Sequence, residues 1–204
     1  MVRSAFRSEP VTGRLGGKDA NKPNTWRDLI ACAETAIAKG LTTPEMLFIT
    51  GGSAGGIPMV MSPIERPELF AGVINQVPMA SALRAEFQTN GPANIPEFGT
   101  IKDEPGFRNL LAMDGYQQLK EATRYPPYLI TTGLNDSRVD SWQPAKLAAR
   151  MRAINPDNVV LLRVDEEAGH GIGSTKSQVD ALWADMVTFI NWRLSREGWS
   201  LLPD

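Results

Sequence analysis

Met46-Leu47-Phe48-Ile49-Thr50-Gly51-Gly52-Ser53-Ala54-Gly55-Gly56-Ile57 is the stretch whose reading decides the fold. Met46 to Thr50 is a short apolar run that reads as a buried strand. Ile57 to Met61 open a helix, which the sequence ends near Pro63. Gly51 to Gly56 must therefore form a tight turn between strand and helix. A serine with glycine two residues before and two after it, in strand–turn–helix order, has the pattern of a nucleophile elbow. Such a turn holds the serine at an uncommon backbone angle. Small neighbours avoid a clash, and the hydroxyl is pushed out above the sheet. The Ala54 amide, at the helix start, then points to where an oxyanion would develop. A plain Gly-rich connection has the same composition, but the placement between strand and helix favours chemistry. A phosphate loop does not fit, because no Gly-Lys-Ser/Thr follows.

Outward from this turn the pattern alternates. Residues 1–24 have no apolar period and read as an irregular arm. Thr25-Trp26-Arg27-Asp28 reads as a capping box, followed by Leu29, Ile30, Ala33 and Ile37 at helical spacing and a stop at Gly40. Gly72 to Val77, Tyr128 to Thr132 and Val159 to Val164 read as strands. Pro78 to Arg124 is punctuated by Pro and Gly, with helical patches near Phe107–Met113. Trp142 to Ile154 is a helix. A last helix, Ser177 to Arg193, carries a stripe of Val179, Leu182, Trp183, Met186, Phe189 and Ile190 that is expected to face the core. Strands alternating with helices predict an α/β domain over residues 25–204, a mostly parallel sheet flanked by helices. Its crossovers should be right-handed.

The 204 residues carry 21 Lys+Arg against 23 Asp+Glu, a net charge of −2. That balance gives no electrostatic footprint for nucleic acid. No apolar run approaches the ~18 residues of a membrane span, so no membrane partner is expected. The opening Met1 to Pro10 lacks the apolar middle of a signal peptide, which points to the cytoplasm. One cysteine, Cys32, excludes an intrachain disulfide and a multi-cysteine metal site. The single histidine means that any imidazole catalysis must use His170.

His170 sits in Ala168-Gly169-His170-Gly171, a loop just after the fourth strand. Sites on parallel sheets lie at these carboxyl ends. If serine, acid and histidine follow one another as in an α/β-hydrolase, the acid lies between Ser53 and His170. Asp136 directly follows the third strand. Asp114 precedes its nearest strand, Asp140 lies further from a strand end, and Asp165 could orient His170 from its own loop. Strand order favours Asp136. His170 would then take the Ser53 proton while Asp136 holds the imidazole tautomer.

Together these stretches resemble the C-terminal part of the catalytic domain of the prolyl oligopeptidase family of serine hydrolases. The matching segments are Asn21-Lys22-Pro23-Asn24 with the helix after it, Gly51 to Gly56, Leu69-Phe70-Ala71-Gly72-Val73, Thr131 to Val139, and Ala168 to Gly171. The resemblance spans about residues 21 to 195. It implies an α/β-hydrolase-like fold, a triad of Ser53, Asp136 and His170, and an Arg138 that reaches a substrate carbonyl near the scissile bond. It implies no cofactor and no metal.

Two features depart from the family pattern. Its β-propeller and first sheet strands would precede the matched region, so a domain truncated at the N-terminus is expected. The family's second oxyanion donor is a tyrosine in that earlier part, whereas Tyr116, Tyr125 and Tyr128 all follow Ser53. None of the five tryptophans lies between Ser53 and Asp136, where the family stacks a substrate proline. Phe98 is expected to line the pocket instead. Short carboxylic esters, with their better leaving group, are the substrates favoured on this reading. Small peptides cut after proline are the alternative, and an inactive fragment that folds only with a partner is the reading of another class. The apolar strand Met46–Thr50 would lack its outer neighbours unless the N-terminal arm covers that edge, so a homodimer or larger oligomer closed by edge pairing or exchange of the N-terminal arm is expected.

Overall fold

The computed structural model describes residues 16–171 and 174–194. The first fifteen residues of the expected arm, and the chain after Leu194, lie outside the described residues. Four parallel strands stand in sequence order: β1 (Phe48–Gly52), β2 (Gly72–Gln76), β3 (Tyr128–Gly133) and β4 (Val160–Asp165). Ile49 pairs with Val73, Ile74 with Leu129, and Ile130 with Leu162. Every residue of β3 is buried, as expected of an inner strand covered on both faces.

Seven α-helices accompany the sheet among the described residues: α1 (Pro23–Ala38), α2 (Gly56–Glu65), α3 (Gly91–Phe98), α4 (Glu104–Met113), α5 (Gly115–Gln118), α6 (Trp142–Ile154) and α7 (Lys176–Leu194). The period-two alternation of the strands divides the core. Ile49, Val73, Tyr128, Ile130 and Val160 face α2 and α6, with Trp26 and Ile30 of α1 packed beyond. Ile74 and Leu129 face the other way, against Met186 and Phe189 of α7.

Three local expectations change. The helix α1 starts at Pro23, not Thr25: proline needs no amide at the first helical position, and Thr25 Oγ1 donates to the Lys22 carbonyl instead of capping. The helix α2 continues through Pro63 to Glu65. Proline removes the amide that would bond the Met59 carbonyl, and the buried Tyr128 hydroxyl donates to that carbonyl at 3.0 Å in its place. The stripe on α7 is only half core. Met186 and Phe189 are buried, but Val179 and Trp183 are exposed, so the helix meets the sheet only in its second half.

The sheet has two edges. On β4, the carbonyls of Val159 and Asp165 accept from the β3 side, so that of Val160 faces outward; the Arg152 guanidinium donates to it and blocks that edge. On the other side β1 is the outermost strand, with no neighbour beyond it among the described residues.

Candidate active site

Three loops at the carboxyl ends of β1, β3 and β4 bring the sequence-predicted residues to one end of the sheet. At β1, Ser53 has φ 55°, a left-handed conformation that a non-glycine residue adopts only under constraint. Its neighbours show the source of that constraint. A Cβ on Gly51 would lie 2.9 Å from the Gly55 carbonyl oxygen, one on Gly52 2.8 Å from that of Gln76, and one on Gly56 2.5 Å from Pro78 Cβ. A Cβ on Gly55 would meet nothing within 4 Å. The close approaches therefore fall at 51, 52 and 56, not at the second glycine of the pattern. Ser53–Gly55 forms a 3₁₀ turn leading into α2, so the Ala54 amide lies in the first turn, where N–H groups lack intrahelical acceptors.

At β3, the Asp136 side chain is fully buried, and its Oδ1 accepts the amides of Arg138 at 2.8 Å and Val139 at 2.9 Å. Its Oδ2 lies 2.7 Å from His170 Nδ1. With Nδ1–H donating to the carboxylate, Nε2 is left as the basic nitrogen. The approach of the two loops depends on Gly133. A Cβ there would sit 2.2 Å from the Ala168 carbonyl oxygen, and the Asn135 amide donates to that same oxygen at 3.1 Å.

The other carboxylates are committed elsewhere. Asp165 Oδ1 accepts the amides of Glu167 and Ala168, shaping the start of the histidine loop. Asp140 Oδ2 accepts the Trp142 indole N–H. Asp114 is buried and accepts from the Ser81 hydroxyl and the Leu83 and Gln117 amides. Its burial raises its pKa above the usual carboxylate value, against those hydrogen bonds.

Ser53, Ala54, Phe98 and Arg138 line one small cavity of about 30 Å³, with Met79, Gln88 and Asn94 among its other walls. Arg138 and Val139 join the two halves of the site, since their amides hold Asp136 and both residues line the cavity. No hydrogen bond joins Ser53 to His170 among the described residues. In catalytic sites such contacts tighten when substrate binds. Of the tyrosines, Tyr125 OH accepts the Lys120 amide and Tyr128 OH is spent on Met59.

Sequence reasoning named Phe98 in the cavity wall but missed the residues that shape and hold that wall. Val77, a β-branched residue at φ 42°, turns the chain after β2 so that the Met79 amide donates to the Ser53 carbonyl at 2.9 Å. Lys22, nearly buried, donates to Glu97 Oε1 at 2.6 Å and sits 4.7 Å over the Phe98 ring. Val77 has as its local signal only the Pro78-Met79 pair, which marks a forced turn, and Lys22, although inside the Asn21-Lys22-Pro23-Asn24 segment, gives no local sign of its tie to Glu97.

A parallel sheet flanked by helices, with a strained serine after one strand and an aspartate–histidine pair after two others, is the architecture of an α/β-hydrolase domain. The family model described as "Prolyl oligopeptidase family" matches residues 14–197, and the chain belongs to that family. It is 34% identical over 157 residues to Protease 2 of Moraxella lacunata, covering 76% of this chain and 23% of that protein. It is 30% identical over 178 residues to dipeptidyl aminopeptidase BI of Pseudoxanthomonas mexicana, covering 85% of this chain and 24% of that protein. Oligopeptidase B of Trypanosoma brucei, solved with covalently bound antipain, superposes with a TM-score of 0.83 at 33% identity, over 88% of this chain and 26% of that one. The chain thus spans about a quarter of the length of the relatives it matches.

Proposed function

We propose that this chain supplies the catalytic residues of a serine peptidase of the prolyl oligopeptidase type. The observation that carries the proposal is the 2.7 Å pair of His170 and buried Asp136 at the same end of the sheet as the strained Ser53. In this reading Nε2 of His170 removes the Ser53 proton as the hydroxyl attacks the scissile carbonyl. Asp136 fixes the tautomer and stabilises the imidazolium. The Ala54 amide donates to the oxyanion, and Arg138 hydrogen-bonds a substrate carbonyl. Collapse of the tetrahedral intermediate gives an acyl-serine, with the His170 proton passing to the leaving amine. Water then cleaves the ester by the same steps in reverse roles.

The sequence alone favoured short esters. The likeness to named peptidases supports the peptide alternative better. Phe98, Met79 and Val139 in the cavity wall give apolar surface on which a proline ring could pack. The test pairs labelling by a fluorophosphonate with hydrolysis of a blocked Gly-Pro amide. Labelling and amide cleavage that both vanish in Ser53→Ala are expected. Hydrolysis of p-nitrophenyl butyrate with no cleavage of any peptide amide would return the assignment to an esterase, and absent labelling would refute an activated serine.

A further inference from the structure

A second cavity, of about 450 Å³, lies against the first. Three points of the chain show how thin the partition is. Met79 lines the small cavity and Ser81 the large one; Gln88 lines the small and Phe87 the large; Val139 lines the small and Asp140 the large. The wall is fastened where Gln88 Oε1 accepts the Asp140 amide at 3.0 Å. The space around Ser53 is small, about 30 Å³, and the larger cavity lies across this wall.

The chemistry of the larger cavity is aromatic and cationic. Lys146 Nζ stands 5.2 Å from the Tyr116 ring centroid and 5.8 Å from that of Trp142. Arg84 and Lys146 have no ion-pair partner among the described residues. The lining holds one acid against these two cations, Asp140, whose Oδ2 accepts the Trp142 indole N–H. Gln143, only 1% exposed, forms part of the floor. Its Oε1 accepts the Ala80 and Ser81 amides at 2.8 and 2.7 Å, which fixes the amide's orientation. Its Nε2 is a buried donor with no partner among the described residues. Two cations without an ion-pair partner among the described residues, and an unspent amide donor, between aromatic walls suit a negatively charged group on an organic chain.

We propose that this cavity is a subsite for a carboxylate of the substrate peptide, bound by Lys146 and Arg84 within a residue or two of the scissile bond. The proposal rests on the peptidase reading, and the experiment separates the two. Matched peptides carry Glu or Gln at each position flanking the cleaved bond, and end in a free acid or an amide. In wild-type protein one carboxylate-bearing member is expected to show kcat/KM about fivefold above its neutral twin, the range of a partly exposed ion pair. The ratio should fall to about one in Arg84→Gln/Lys146→Gln and in about 0.5 M salt, with the neutral peptide unaffected. Preference at a Glu position assigns an acidic side chain, and preference for the free acid assigns the peptide terminus. The same pairs, dye-labelled, are titrated into Ser53→Ala protein, where binding is read without turnover. Ratios near one in both assays, or a preference that survives the double variant, overturn the subsite. A binding preference without cleavage of any peptide overturns the peptidase reading and leaves the carboxylate site standing.

Discussion

Replacing Gly133 with alanine should disable the site without touching a catalytic group. The new Cβ would lie 2.2 Å from the Ala168 carbonyl oxygen and 2.4 Å from that of Gly169, where ordinary contact begins near 3.4 Å. Both obstacles are backbone, so the strand end and the histidine loop must separate by about 1 Å. The His170 ring follows Gly169 directly, and its bond to Asp136 is 2.7 Å long. Lengthening that contact by about 1 Å removes it as a hydrogen bond. Displacement of this size costs about 10²-fold in rate, and full loss of imidazole orientation about 10⁴-fold. The expected kcat therefore falls by about 10² to 10⁴. The assay is kcat and KM on the peptide amide, the rate of fluorophosphonate labelling, and the melting temperature of each variant. Gly55→Ala is the matched control: its Cβ meets nothing within 4 Å, and activity within about threefold of wild type is expected. A folded Gly133→Ala protein with near-normal kcat, or a Gly55→Ala protein equally impaired, would refute the reasoning.

Ser53→Ala and His170→Ala should each lower kcat by about 10⁶, with the double variant little worse, and Asp136→Asn by about 10⁴; stopped assays on purified variants check this, and full activity in His170→Ala would sink the mechanism. Lys22→Met should raise KM more than it lowers kcat, because Lys22 ties the Phe98 wall through Glu97, and Lys22→Arg should restore most of the loss. Asp114 has a folded pKa raised by burial, so the free energy it gives the fold is full below the unfolded carboxylate pKa and is lost as pH rises through the folded one. The melting temperature of wild type should accordingly fall relative to that of Asp114→Asn as pH rises from acid, and parallel curves would contradict the assignment. With no strand beyond β1 among the described residues, the chain should self-associate, and a stable monomer of 22.3 kDa in sedimentation at micromolar concentration would argue against it.

The sheet was legible because its signals are local. Apolar runs mark β1 to β4 within a residue or two, and glycine or proline punctuates their ends. Local signals misled where tertiary contacts took over. Pro63 reads as a helix stop until Tyr128, 65 positions later in the chain, supplies a donor to the Met59 carbonyl. The α7 stripe reads as wholly buried until the narrow sheet leaves Val179 and Trp183 uncovered. No periodicity encodes how wide a sheet will be.

The site divides along the same line. Ser53, Asp136 and His170 were visible because each sits just past a strand end, where a parallel sheet concentrates its exposed backbone termini. The choice of Asp136 over Asp165 follows from geometry. An aspartate at the last position of β4 is within two and three residues of the amides it accepts, so its carboxylate closes its own loop. Asp136, three residues beyond the last residue of β3, also caps local amides with one oxygen, but its turn leaves the second oxygen facing the neighbouring loop. What distinguishes the two is the bare backbone at Gly133, which lets the β4 loop close over the end of β3. Specificity has no such anchor in the sequence. The walls beside Ser53 come from Met79, Gln88, Asn94 and Phe98, spread through the irregular segment between β2 and β3. That segment is held by long-range polar ties: Gln143 to the Ala80 and Ser81 amides, Asp114 to Leu83, and Lys22 to Glu97. On the proposed reading, chemistry rests on the strand ends and substrate choice on this tied segment, so Lys22→Met should change which peptides are cleaved while leaving Ser53, His170 and Asp136 able to react.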